Sequence, residues 1–379
     1  MSSLAVETRF SAPEAPIVGA LDLEQGAHGV RPRRLPRWTR RQISDPVFDF
    51  VVGMGSGLRV ATRTHADALE LELLVTGIDP GVPVTQPALI DLVVDGEVRA
   101  SRAVAREDQS LIDGTGRLTQ ERGPVRVLFD GLGSADKNVE LWLPHTTAME
   151  LVALRASEPL HPPIDDRPVW VHHGSSISQC GEADAPTRTW PAIAARRAGV
   201  HLHSLGFSGN AVGDPFVART IRDLPADRIS LELGINVVNG DLMRRRMFES
   251  VVHGFLDTVR DGHPDVPILL IGPIPCPAHE HTPGPTVMDP TTGMCTSGGD
   301  ARELERGGMS LDTVREALAS VLDARRSDPR LSYLDGHLLL PVSEAADLDD
   351  GLHPNAAAYV RMGERFVTHA FGPSGALTL

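Results

Sequence analysis

Hydrophobic and polar positions change rhythm once along this 379-residue chain. Before about residue 160 the alternating or apolar runs are short: Phe48–Val52, Leu58–Thr62, Leu69–Thr76, Leu89–Val94, Val125–Phe129, Val139–Leu143 and Ala148–Leu154. Turn-forming clusters separate them, among them Asp79-Pro80-Gly81, Asp95-Gly96 and Asp130-Gly131. Many short runs between turn residues, with no helical period, predict an all-β sandwich, jelly-roll-like, over residues 1–160.

After a linker at Asp165–Pro168 the period alternates between strand and helix. Strands are expected at Val169–His173, Val200–Leu205, Ile229–Leu233, Ile268–Ile271 and Leu331–Leu334. Helices are expected at Trp190–Ala198, Phe216–Leu224, Leu242–Arg260, Leu311–Ala324 and Ala356–Ala370, the last with Tyr359, Met362 and Phe366 on one stripe. That order predicts an α/β domain over residues 165–379 with a parallel sheet covered on both faces. The Pro/Gly-rich segment Pro273–Gly308 stands apart and is expected to be an irregular lid or insertion.

Composition narrows the partners. A formal net charge of −14 disfavours nucleic acid. The arginines at 31, 33, 34, 37, 40 and 41 fit a solvated entry segment. No apolar run reaches the roughly 18–20 residues that span a bilayer. Met1–Pro16 lacks a basic-then-apolar leader pattern, and Cys180, Cys276 and Cys295 are widely spaced. A cytoplasmic setting with reduced thiols is expected. His279, Glu280 and His281 with Cys276 and Cys295 match no zinc spacing, and neither metal nor cofactor enters this reading. Nothing in the sequence sets the oligomeric state.

Candidate chemistry gathers after the predicted strands, where ligands of doubly wound sheets bind. Gly174-Ser175-Ser176 follows the first strand, Gly206-Phe207-Ser208-Gly209-Asn210 the second and Gly234-Ile235-Asn236 the third, while Asp350-Gly351-Leu352-His353 follows the fifth. Ser176 offers a nucleophile, His353 a base, and Asp350 a carboxylate that fixes the imidazole tautomer. Asn236 and Gly209 offer N–H donors to an oxyanion, and Pro354 is suited to a first helical position. Singly, Gly174-Ser175-Ser176 fits a small-residue turn and Gly209 and Gly234 fit strand-end glycines better than a site, and Asp350 with His353 fits a helix cap equally well; their joint order points to a site.

The four segments resemble the blocks of the SGNH (GDSL-type) hydrolase superfamily: Ser in Gly-Asp-Ser, a Gly, Asn in Gly-x-Asn-Asp, and His in Asp-x-x-His. The resemblance spans roughly Asp165 to Gly372. It implies a flavodoxin-like three-layer α/β/α fold, a triad of Ser176, Asp350 and His353, and an oxyanion hole of Ser176, Gly209 and Asn236. Ser175 replaces the block's Asp and Val237 the Asp after the block Asn. The two-domain layout is similar to that of carbohydrate acetylesterases. The activity implied is hydrolysis of short-chain, acetyl-type esters of a small molecule or carbohydrate, with no membrane partner. An acyltransferase with the same triad, or a non-catalytic glycan-binding protein, are the alternatives.

Overall fold

The computed structural model describes residues 4–10, 15–79 and 87–378. Pro80 and Gly81 of the expected turn, and residues 1–3 and 11–14 of the Met1–Pro16 segment, lie outside the described residues. The chain divides into one unit of Met1–Asp166 with Ala185–Thr187 and another of Arg167–Asp184 with Arg188–Leu379.

The N-terminal unit is built of two main sheets, one of eight and one of six described strands. In the longest strand, Leu69–Ile78, Leu69, Leu71, Leu73 and Val75 are buried and the residues between are not. They share one apolar core with Val60, Ile90, Leu92 and Leu141 of the other sheet, as expected where two half-apolar faces meet. The strand expected at Phe48–Val52 is instead the end of a helix, Pro46–Val52. Asp45 caps it by accepting the Val47 N–H at 2.8 Å, and Pro46 suits the first turn. The basic segment is not wholly solvated: Arg33 and Arg34 are buried, and Arg33 pairs with Asp49, Arg40 with Asp22 and Arg31 with Glu150.

In the C-terminal unit the parallel strands are β1 (Val169–Gly174), β2 (His201–Gly206), β3 (Arg228–Glu232), β4 (Ile268–Ile271) and β5 (Leu331–Leu334). Their spatial order is β2-β1-β3-β4-β5. Reversal of direction between β2 and β3 makes the C-terminal ends of β1 and β3 the switch point, where such sheets open a crevice. The expected helices form at Trp190–Ala198, Pro215–Asp223, Arg245–Gly262, Leu311–Ala324 and Ala356–Phe366. The first packs with the last, and the middle three form a second group, completing the α/β layers. Trp170, Trp190 and Phe366 are buried together, Phe366 stacked on Trp170 at 5.2 Å between centroids.

Two local expectations are corrected. Helix Ala356–Phe366 begins after Asn355, which accepts the Ala358 N–H at 3.0 Å; Pro354 is bridged to Leu348 outside the helix, because asparagine is the stronger N-cap. The segment 273–308 is not structureless. It carries a hairpin of Thr286–Met288 with Cys295–Ser297 and a 3-10 turn at Ala301–Arg306.

Candidate active site

Ser176 opens a four-residue helix, α1 (Ser176–Gln179), directly after β1. Ser175 is its N-cap, fully buried, and its Oγ accepts the Ile177 N–H at 3.2 Å. The adjacent serines therefore differ in kind: Ser175 Oγ serves the helix, while Ser176 Oγ lies 2.9 Å from His353 Nε2.

His353 Nδ1 lies 2.7 Å from Asp350 Oδ2. The other carboxylate oxygen accepts the backbone N–H groups of Leu352 at 2.8 Å and His353 at 2.7 Å. Three residues of separation suffice because Gly351 takes φ +82°, a left-handed conformation that folds the turn back on the acid. Burial works to raise the Asp350 carboxyl, but the His353 ring, the two amides and the imidazolium charge outweigh it and bring it down to about 2. Burial likewise disfavours the His353 cation, yet the Asp350 hydrogen bond and the charges of Glu182 and Asp350 hold it above its ordinary value. An ionised acid on Nδ1 leaves Nε2 free to accept the serine proton, the arrangement that activates a hydroxyl.

Gly209 and Asn236 follow β2 and β3, the strands on either side of β1. Gly209 sits at φ +73° with open space where a Cβ would be. Asn236, nearly buried, accepts the Ala211 N–H on Oδ1 at 2.9 Å. A backbone N–H can only donate, so this bond fixes the amide orientation and leaves the Nδ2 hydrogens available. Val237, where the block has Asp, is buried.

Sequence reasoning missed two acids here. Glu182 Oε1 lies 3.9 Å from His353 Nδ1, and Glu182 Oε2 accepts the buried Tyr359 hydroxyl at 3.0 Å. Glu232, at the end of β3, accepts the Ser175 N–H at 2.7 Å. Its signal was in plain view: a carboxylate inside an apolar strand is rarely buried without a task.

The 273–308 segment touches the acid turn, Cys295 N–H donating to Asp350 O at 2.6 Å and Cys276 Sγ lying 3.3 Å from Gly351 O. Its other polar groups have their own partners: His279 Nε2 with Thr286 Oγ1, Glu280 with Arg315, and His281 with Asp312. Among the described residues no group of three or more His, Cys, Asp or Glu could hold a metal ion. Among them, too, no helix is long and apolar enough to cross a membrane.

Comparison with solved structures gives the same architecture. The salicylyl-acyltransferase SsfX3 from a tetracycline biosynthetic pathway is 27% identical, with a TM-score of 0.80 over 96% of both chains. A GDSL-like lipase from Bacteroides ovatus is 17% identical, TM-score 0.66, over 96% of this chain and 97% of that one. An acetyl xylan esterase from Butyrivibrio proteoclasticus is 12% identical, TM-score 0.55, over 96% of each. No curated protein sequence matches. The family model of the GDSL-like lipases/acylhydrolases matches residues 173–361, and the C-terminal unit belongs to that ester-hydrolase family.

Proposed function

We propose that the chain is a serine ester hydrolase working through an acyl-enzyme, with Ser176, His353 and Asp350 as its triad. The observation that carries this reading is the unbroken contact from Asp350 Oδ2 through His353 to Ser176 Oγ, at 2.7 and 2.9 Å. Ser176 Oγ attacks the ester carbonyl carbon as its proton passes to His353 Nε2. The carbonyl oxygen, now an anion, takes hydrogen bonds from the Ser176 and Gly209 N–H groups and Asn236 Nδ2. His353 returns the proton to the departing alkoxide, leaving acyl-Ser176. Water, deprotonated by the same imidazole, then releases the acid.

The substrate class in this proposal is a short acyl, acetyl-type ester of a polar small molecule or carbohydrate. The likeness to an acetyl xylan esterase supports it. Three free, buried cysteines are consistent with a reducing, cytoplasmic setting. A chromogenic acetate assay of wild type and Ser176→Ala tests the reaction; equal rates would refute it.

A second reading has its own support in the 27% identity to an acyltransferase over 96% of both chains. Under it the acyl-Ser176 intermediate passes its acyl group to an alcohol or amine instead of water. Incubating the acylated enzyme with candidate acceptors and identifying the products by mass separates the two.

A further inference from the structure

Beneath Ser176 runs a buried chain of polar groups that the proton transfers above do not use. Trp170 Nε1 lies 2.9 Å from Ser230 Oγ, and Ser230 Oγ 2.8 Å from His172 Nδ1. His172 Nε2 is 2.8 Å from Ser178 Oγ, and Ser178 Oγ 3.3 Å from Glu232 Oε2. Trp170, His172, Ser178 and Ser230 are at or below 1% exposure, so each hydrogen must find an acceptor within the chain.

One direction gives every group in it a partner. An indole N–H only donates, so Ser230 accepts from Trp170 and gives its own proton to His172 Nδ1. His172 is then the Nε2–H tautomer; burial, with His173 beside it, pulls its pKa down to about 3 and keeps it neutral. Nε2–H donates to Ser178 Oγ, and the Ser178 hydroxyl donates to Glu232. The same Glu232 oxygen accepts the Ser175 N–H at 2.7 Å. Every donor in the chain thus ends on one carboxyl oxygen.

We propose that Glu232 is a positioning residue for the nucleophile, fixing the turn that carries Ser176 by binding Ser175 N–H and the Ser178 hydroxyl on either side of it. The inference rests on the serine-hydrolase reading above. Helix α1 is four residues long, too short to hold its own geometry by intrahelical bonds. The carboxyl grips it from β3, at its N-cap amide and again one residue past Ser176's neighbour. Ser175 stands where the family block has aspartate, so the acid near this turn comes from another strand. Gly174 leaves room for it: a Cβ there would fall 2.2 Å from Ser178 Oγ and 2.7 Å from Glu232 Oε2.

The test is the labelling rate of full-length protein by a fluorophosphonate probe, which reads the reactivity of the serine without knowledge of the ester. Displacing a reacting group by about 1 Å costs on the order of 100-fold, so Glu232→Ala should slow labelling about 10- to 100-fold. On a chromogenic acetate the loss should fall in kcat, with KM little changed. Glu232→Gln keeps an acceptor oxygen for both donors and should recover most of the rate. Glu232 Oε1 has no partner among the described residues, so the added amide breaks no existing bond. If Glu232→Ala does not fold, Glu232→Asp serves, since it withdraws the oxygen by one methylene and should slow labelling too. Wild-type labelling by the folded Ala or Asp variant overturns the proposal, as does a Gln variant no faster than Ala. Failure of the parent reading is distinct: there Ser176→Ala would label as fast as wild type.

Discussion

His353 Nε2 lies 2.9 Å from Ser176 Oγ although 177 residues separate them in the chain. Ser176 follows the central strand β1, and His353 sits in the turn before the last helix. The contact therefore exists only once the whole parallel sheet has formed. Ser176→Ala and His353→Ala should each abolish probe labelling and lower kcat on a chromogenic acetate by about 10³-fold or more. Asp350→Asn, which leaves shape intact but frees the wrong tautomer, should cost about 10⁴ in kcat. A loss in the Asn variant of less than tenfold would remove Asp350 from the triad.

Asn236 is held by the Ala211 N–H on Oδ1, so its NH2 is presented without conformational cost. Asn236→Ala should lower kcat about 10²–10³-fold with KM nearly unchanged, as for the loss of one oxyanion donor. Asn236→Asp should be no better, because it places an acceptor where the proposed reaction forms its anion. Steady-state kinetics of both variants on one ester measure this, and a KM-only effect would contradict it.

His353 must be neutral to accept a proton, and its pKa lies above the ordinary 6.5. Activity should thus rise with pH along an acid limb whose midpoint is above 6.5, then level off. Glu182, 3.9 Å from Nδ1, is one cause of that elevation. Glu182→Gln keeps an acceptor for Tyr359 but removes the charge, so the limb should move to lower pH. The kcat/KM profile of the two proteins decides it; coincident limbs would exclude Glu182 from tuning the base.

The parts of this picture differ in how far local sequence carries them. The C-terminal α/β order was legible because its strands are short apolar runs and its helices carry apolar stripes such as Tyr359, Met362 and Phe366. The pairing of Asp350 with His353 was legible for a local reason too, since one turn carries both. Pro46–Val52 was not, because its apolar residues fit a short strand equally well and the deciding feature is the single Asp45 cap. Glu182 carried no signal, and Glu232 showed only that an acid closes an apolar strand, not what it binds. Their partners, His353 and Ser175, are set by chain topology, and no spacing records it. Ser175 and Ser176 are adjacent and chemically identical: in the sequence only alignment to the family block separates them, and in the fold one hydroxyl meets Ile177 N–H while the other meets the imidazole.

Phe366 joins the last helix to the sheet by stacking on Trp170 at 5.2 Å and meeting Trp190 at 5.0 Å. All three are buried, so a smaller side chain leaves an apolar cavity. Phe366→Ala should destabilise the C-terminal unit by about 3–5 kcal/mol, lowering its Tm by roughly 6–20 °C. Phe366→Leu should recover part of that loss. Thermal melts followed by tryptophan fluorescence report both, and an unchanged Tm in the Ala variant would mean this cluster does not anchor the helix.

Asp350 also links stability to acid. Its carboxyl is brought down to about 2 in the folded chain, against 3.8 for the ordinary group. A depressed pKa means that folding favours the ionised form. Its contribution is therefore complete above about pH 4 and is lost as pH falls toward 2, when the proton it must accept ends the pairing with the His353 cation. Other carboxylates titrate in the same window, so the wild-type melt alone cannot isolate it. The difference between wild type and Asp350→Asn can. Above pH 4 the wild type should be the more stable, and the gap in Tm should close between pH 4 and pH 2, because the asparagine has no proton to gain. A gap that stays constant across that interval would show that the Asp350–His353 pair contributes nothing to the fold, even if it is needed for the reaction.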